Sequence, residues 1–302
     1  MIDTRVRVGS IELSTPVMTA SGTVGYGTEF QDYLDFASLG AVVTKSLAPY
    51  EWPGNAAPRL HPTPQGMMNA VGLQGPGVRY WLDHVVDELL ATGATVVASI
   101  WGRSVADYEQ AADMLAEAPA GVVAVEVNLS CPNLEGRGSI FAHDAALSAA
   151  VMAATAGCGR PRWAKLSANT DRIVEVADAV VAAGADAVTC INTLLGLAYD
   201  PDTLAPTLGA GGGGLSGRAI HPVAVRAVHD VHQALPDVPI VGVGGVACGW
   251  DAAELLLAGA AAVQVGTASF ADPRATQRVQ DELITWALSR GLTSLADIAA
   301  LA

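Results

Sequence analysis

The chain has 302 residues, a formal net charge of −14 and an apolar fraction of 51%. That length gives ample core and is within what one α/β barrel absorbs, so residues 1–302 are expected to form a single domain. The acidity speaks against nucleic acid and against an anionic membrane surface, because both need clustered Lys and Arg. The start, Met1-Ile2-Asp3-Thr4-Arg5, has no apolar leader, and no run approaches the roughly 18 apolar residues of a membrane span. A cytoplasmic location is therefore expected. Cys131, Cys158, Cys190 and Cys248 show no C-x-x-C spacing, which fits a reducing compartment and suggests neither a disulfide framework nor an iron–sulfur or other metal site on this chain.

In chain order, Val6–Val8 and Ile11–Leu13 flank Gly9-Ser10 and predict a small hairpin. An alternation follows. Strands are predicted at Pro16–Ala20, Ala41–Lys45, Thr95–Ile100, Val122–Asn128, Trp163–Ser167, Asp186–Ile191, Pro239–Val243 and Ala262–Val265. Helices are predicted at Glu29–Phe36, Val78–Thr92, Val105–Ala116, Asp144–Ala156, Arg172–Ala183, Arg218–Leu235, Asp251–Ala258 and Ala271–Arg290, with a short capping helix in Leu292–Ala302. Eight strands apolar enough for burial on both faces, each with a helix, predict an α/β fold of the (β/α)8 TIM barrel type, with the hairpin ahead of it.

Two connections, Ser46–Gly77 and Thr193–Gly217, are too long for plain linkers. Both follow strands, so both belong on the C-terminal face, where barrel enzymes build their sites. Within the second, Gly209–Gly214 reads by composition as a flexible linker.

The stretch Val125-Glu126-Val127-Asn128-Leu129-Ser130-Cys131-Pro132-Asn133 carries the most information. Pro132 cannot donate a backbone hydrogen bond and disfavours helical geometry at Cys131, so a strand ends there in a polar loop. Cys131 is either a small buried residue beside turn-forming asparagines, or a base or nucleophile among amides that hold a planar polar ligand. Other strand ends are polar too: Ala20-Ser21, Lys45-Ser46, Ser99, Lys165, Ile191-Asn192-Thr193, Gly244-Gly245 and Gly266-Thr267. The last two pairs follow strands seven and eight, a usual phosphate site in a barrel, and glycine lets backbone N–H groups approach phosphate oxygens. Of sixteen Lys plus Arg only Lys45 and Lys165 are Lys, both at strand ends. One phosphate and two rim lysines suit flavin mononucleotide, whose reduced ring a lysine stabilises; Lys165 could equally form a salt bridge across the barrel top.

Lys45-Ser46, Asn69-Ala70-Val71-Gly72-Leu73-Gln74, Asn128 to Asn133, Lys165-Leu166-Ser167, Asn192-Thr193-Leu194-Leu195-Gly196, Gly213-Gly214-Leu215-Ser216-Gly217 and Gln264-Val265-Gly266-Thr267 together resemble class 1 dihydroorotate dehydrogenase, over nearly the whole chain and in order. The Asn-Thr-Leu-Leu-Gly form and the length resemble the class 1B catalytic subunit. The resemblance implies oxidation of dihydroorotate to orotate in pyrimidine biosynthesis. Cys131 would remove the C5 proton while hydride passes from C6 to N5 of FMN, and Lys45 and Lys165 would share the catalytic work. The cofactor would be held by Ala20, Ser21, Lys45, Ser46, Ser99, Asn128, Lys165, Ile191, Ser216, Gly217, Gly244, Gly245, Gly266 and Thr267. The substrate would be held by Lys45, Asn69, Ala70, Val71, Gly72, Leu73, Asn128, Asn133, Asn192 and Thr193. A partner subunit with FAD and an iron–sulfur cluster would carry electrons to NAD, in a heterotetramer built on a homodimer. The chain departs from the family at Ser99, where Asn is usual, and at Arg218, where Pro commonly follows Ser-Gly. A second reading is another FMN barrel that reduces a pyrimidine, such as a dihydropyrimidine dehydrogenase-like enzyme or a tRNA dihydrouridine synthase; the latter would want a basic surface. A third is a flavin-binding barrel kept for assembly without chemistry.

Overall fold

Short runs of Val, Ile and Ala that leave neither face in water build a parallel sheet, and the computed structural model, which describes residues 2–130 and 140–302, closes it into a barrel. Its strands are β1 (Val17–Thr19), β2 (Val42–Val43), β3 (Val96–Ile100), β4 (Val122–Asn128), β5 (Arg162–Lys165), β6 (Ala187–Cys190), β7 (Ile240–Val243) and β8 (Ala262–Val265). They pair in the order β1-β8-β7-β6-β5-β4-β3-β2, all parallel. At the seam, Gly40 N–H donates to Val17 O (2.9 Å) and Thr19 N–H to Ala41 O (3.2 Å), which completes the (β/α)8 barrel.

Alternate residues along each strand point inward. Met18, Val43, Val97, Ala124, Trp163, Ala187, Val241 and Ala262 join Val6, Val8 and Leu13 of the predicted hairpin in one buried cluster. The hairpin thus packs onto the filled half of the barrel, and polar residues occupy the C-terminal half. Helices Val105–Leu115, Ala145–Ala154, Ile173–Ala182, His221–Ala234 and Gly249–Leu257 follow β3 to β7 and pack a second apolar layer around the sheet.

Three predicted helices need correction. Glu29–Phe36 is a set of turns: the Glu29 carboxylate folds back to accept the N–H groups of Tyr26 (2.9 Å) and Gly27 (2.7 Å), and only Phe36–Ser38 forms a 3₁₀ turn, capped by Asp35. Val78–Thr92 is broken at Val85 (φ −125°) into Val78–His84 and Val86–Ala91. Ala271–Arg290 starts too early, because Pro273 separates Ala268–Ala271 from Ala275–Ser289. The terminal segment forms a 3₁₀ helix, Leu295–Leu301.

The two long connections supply a feature absent from the sequence reading. Leu60–Thr63 and Gly66–Asn69 from the first, with Leu194–Gly196 and Gly213–Ser216 from the second, form a four-stranded antiparallel sheet. The glycine run is therefore no simple linker at its end: Gly213 and Gly214 are strand residues, and Gly214 pairs with both Leu195 and Asn69. Glycine is required there by close approach, since a Cβ on Gly214 would lie 2.7 Å from Thr193 Cβ. Among the described residues no helix is long and apolar enough to cross a membrane.

Candidate active site

Between the strand ends and this cap sheet lies a cavity of about 430 Å³. A shallower hollow of about 540 Å³ follows the outer face of helix Ala275–Ser289, but it is lined by that segment alone and gathers nothing from the strand ends.

One end of the cavity is a glycine cradle. Gly244 and Gly245 follow β7 with φ of +140° and +71°, and Gly266 and Thr267 follow β8. A Cβ on Gly245 would meet Gly217 O at 2.8 Å and His221 N at 2.9 Å, so the backbone itself forms the wall. Thr267 Oγ1 donates to Ser216 Oγ (2.8 Å), tying the cap to the cradle. The Gly245 and Thr267 N–H groups have no acceptor among the described residues, which suits a phosphate. The cradle, the cavity's size and the adjoining cation Lys165 fit FMN.

The middle of the cavity is walled by Ala20, Ser21, Ser46, Lys165 and Ile191. Lys165 is 5% exposed; its Nζ is 3.2 Å from Oε1 of the fully buried Glu126 and 3.4 Å from Gln264 Oε1. The salt bridge left open by the sequence thus exists, while Lys165 still lines the cavity. Ser99 does not reach the wall. It lies fully buried behind Ser46, with their Oγ atoms 2.9 Å apart, and Ser46 Oγ also lies 3.3 Å from Ser21 Oγ and accepts from Asn128 Nδ2 at 3.3 Å. The other departure, Arg218, turns toward the Asp251 carboxylate (3.7 Å).

The far end is rich in amides. Asn192 Nδ2 donates to Asn128 Oδ1 (3.0 Å), and Thr193 N–H donates to Asn192 Oδ1 (2.8 Å). The segment Asn69 to Leu73 also lines the cavity. Its carbonyls are held from behind, Ala70 O by Asn55 Nδ2 (3.1 Å) and Gly72 O by Trp52 Nε1 (3.0 Å). Lys45 sits here, partly buried, with Nζ 5.7 Å from the Tyr26 ring centroid. Burial, and secondarily the Arg59 guanidinium, lower its pKa below the ordinary lysine value, and among the described residues no carboxylate pairs with it. Cys131 and Asn133 lie outside the described residues; Ser130, at their edge, lines the cavity with a buried hydroxyl that has no partner among the described residues.

Sequence reasoning missed Glu126, Gln264 and Asn169. The first two carried a legible signal, a charged or amide side chain two residues from another inward position in an otherwise apolar strand. Asn169 carried none. It donates through Nδ2 to Ser167 Oγ (2.9 Å) and Thr193 O (3.0 Å) and accepts from Leu195 N–H (2.7 Å), fastening the cap to the barrel.

A family model described as dihydroorotate dehydrogenase matches residues 4–286. A protein of Trichlorobacter lovleyi called dihydroorotate dehydrogenase B (NAD(+)), catalytic subunit, is 44% identical over 97% of this chain and 96% of its own length. Proteins of the same description from Pelobacter propionicus and Phocaeicola vulgatus are 43% and 40% identical, over 98% and 99% of this chain and 97% and 98% of theirs. With a match across most of its length and the strand-end residues gathered in one cavity, this chain belongs to the dihydroorotate dehydrogenase family.

Proposed function

We propose that this chain is the FMN-dependent catalytic subunit of a dihydroorotate dehydrogenase, oxidising dihydroorotate to orotate in pyrimidine biosynthesis and passing electrons to NAD through a partner. The observation that carries the reading is Lys45, a cation without a described carboxylate partner in a cavity whose other end is a phosphate cradle. A carboxylate substrate supplies its missing counter-charge, whereas a neutral pyrimidine leaves it bare. That favours dihydroorotate over the other pyrimidine-reducing barrels.

Bound FMN supplies the two-electron acceptor. Gly244, Gly245, Gly266 and Thr267, with Ser216 and Gly217 beside them, would hold its phosphate through N–H and hydroxyl groups. Ala20, Ser21, Ser46, Asn128 and Ile191 would hold its ring, and Lys165 would supply a positive charge that stabilises the reduced form. Lys45, Asn69 and the backbone of Ala70 to Leu73 hold the substrate carboxylate and ring edge, while Asn128, Asn133, Asn192 and Thr193 meet its amides. Cys131 takes the C5 proton as general base. The relatives' description as a catalytic subunit supports a separate electron-transfer subunit, which would carry FAD and an iron–sulfur cluster in a heterotetramer around a homodimer. The acidic chain, residues 1–302 as one domain, would work in the cytoplasm.

The visible spectrum of the purified chain under anaerobic conditions tests this. Dihydroorotate is expected to bleach the flavin band. Bleaching by a neutral dihydropyrimidine and none by dihydroorotate would move the assignment to the second reading.

A further inference from the structure

The barrel interior holds a charged group that the proposed mechanism does not use. Glu126, in the middle of β4, is fully buried, and both of its oxygens are engaged: Oε1 by Lys165 Nζ at 3.2 Å and Oε2 by Gln264 Nε2 at 2.8 Å. Gln264, on β8, is also fully buried, and its Oε1 lies 3.4 Å from the same ammonium. Three side chains from β4, β5 and β8 therefore close a triangle across the barrel, one layer below the cavity floor. Only Lys165 of the three lines the cavity.

From this geometry we infer that Glu126 and Gln264 are positioning residues for Lys165: they hold it charged and aim its ammonium into the cavity. An isolated ammonium in so dry a place would tend to lose its proton, because burial penalises the charged form. A carboxylate in contact reverses that preference. Gln264 then does what a second carboxylate could not. Its amide donates to Glu126 and its carbonyl accepts from Lys165, so one neutral side chain satisfies both charges and fixes their direction without adding a net charge. Among the described residues the other titratable group on the cavity wall is Lys45, a second cation, which opposes rather than supports a charge on Lys165. Thr189 of β6, in register with Lys165, brings no charge.

The inference rests on Lys165 being the cation that faces the cofactor, and the experiment separates the two claims. The chain contains only two lysines, so ¹³C labelling at lysine Cε yields two signals, assigned with Lys45→Arg. In the flavin-free protein, the Lys165 signal of Glu126→Gln is expected to lose its proton at lower pH than in the unsubstituted chain. The exchange Glu126→Gln with Gln264→Glu returns a carboxylate to the other side of the ammonium and is expected to restore the original titration. If the Gln variant does not fold, Glu126→Asp, which withdraws the carboxylate by one methylene, is expected to move the signal in the same direction by less. An unchanged Lys165 titration in the folded variant overturns the inference, as does a changed one that the exchange fails to restore.

In the FMN-loaded protein, Glu126→Gln is expected to take up one more proton per two electrons, resting on Lys165 Nζ, so that the midpoint potential falls more steeply with pH. A Lys165 signal that shifts while this slope does not would sustain the positioning role and overturn the assignment of Lys165 to the cofactor.

Discussion

Lys45 and Lys165 are chemically identical and their surroundings make them different. Lys165 is paired with Glu126, whereas Lys45 has burial and Arg59 lowering its pKa. Lys45→Ala is therefore expected to weaken orotate binding most, and Lys165→Ala to slow flavin reduction most, as read by titration and stopped-flow absorbance. The lowered Lys45 pKa also carries a sign. Between that value and the ordinary 10.5, the unfolded chain binds more protons than the folded one, so stability rises with pH across the window. Lys45→Met is expected to remove that rise in denaturant titrations at several pH values. A bound carboxylate works in reverse and favours the ammonium, so orotate binding in the same window takes up a proton, measurable by calorimetry in buffers of different ionisation enthalpy. For Cys131, expected to be the base, Cys131→Ala should keep flavin bound and slow its reduction by about 10²–10⁴-fold, with Cys131→Ser between the two and gaining as pH rises.

At the scale of elements, the cap sheet and the cradle both depend on backbone that tolerates no Cβ. Gly245→Ala combines a φ of +71° with contacts below 3.0 Å to Gly217 O and His221. A non-glycine residue at such φ costs about 1–2 kcal/mol and overpacking about 1–3 kcal/mol, so flavin affinity should fall markedly. Gly214→Ala is expected to act differently: it pushes on Thr193 at the amide-rich end, so orotate affinity should drop while flavin stays bound. Equilibrium dialysis of each ligand separates the two outcomes. The barrel strands were legible from sequence because a doubly buried strand is a short, mostly apolar run, and β4 and β8 fall at the predicted bounds although each carries a polar residue that points into the barrel. The cap strands were not, since Gly213–Ser216 and Gly66–Asn69 have neither alternation nor β-branched residues and exist through pairing with each other.

For the whole molecule, the expectation is an enzyme that performs half of an electron path. The isolated chain should be reduced by dihydroorotate yet form NADH slowly, and the partner should restore NADH formation. The partner should bury an apolar patch larger than a monomer usually exposes. Comparing NADH formation with and without the partner, at matched flavin occupancy, decides this; rapid NADH formation by the chain alone would show that the acceptor has been assigned wrongly.

By itself the sequence determined the barrel, the rim at which the cavity opens and much of the cavity wall, because strand period and strand ends are local properties and a barrel brings every C-terminal strand end to one rim. Ala20, Lys45, Asn128, Lys165, Asn192 and Gly245 meet there through that closure. Only the tertiary structure decided what lies one layer deeper or one layer above. That Ser99 supports Ser46, that Glu126 and Gln264 grip Lys165, and that a glycine-rich connection becomes a strand of the cap all depend on contacts between residues 39 to 149 positions apart. Such contacts leave no periodic trace in the chain, since each partner is chosen by the closure of the barrel and not by its neighbours in sequence.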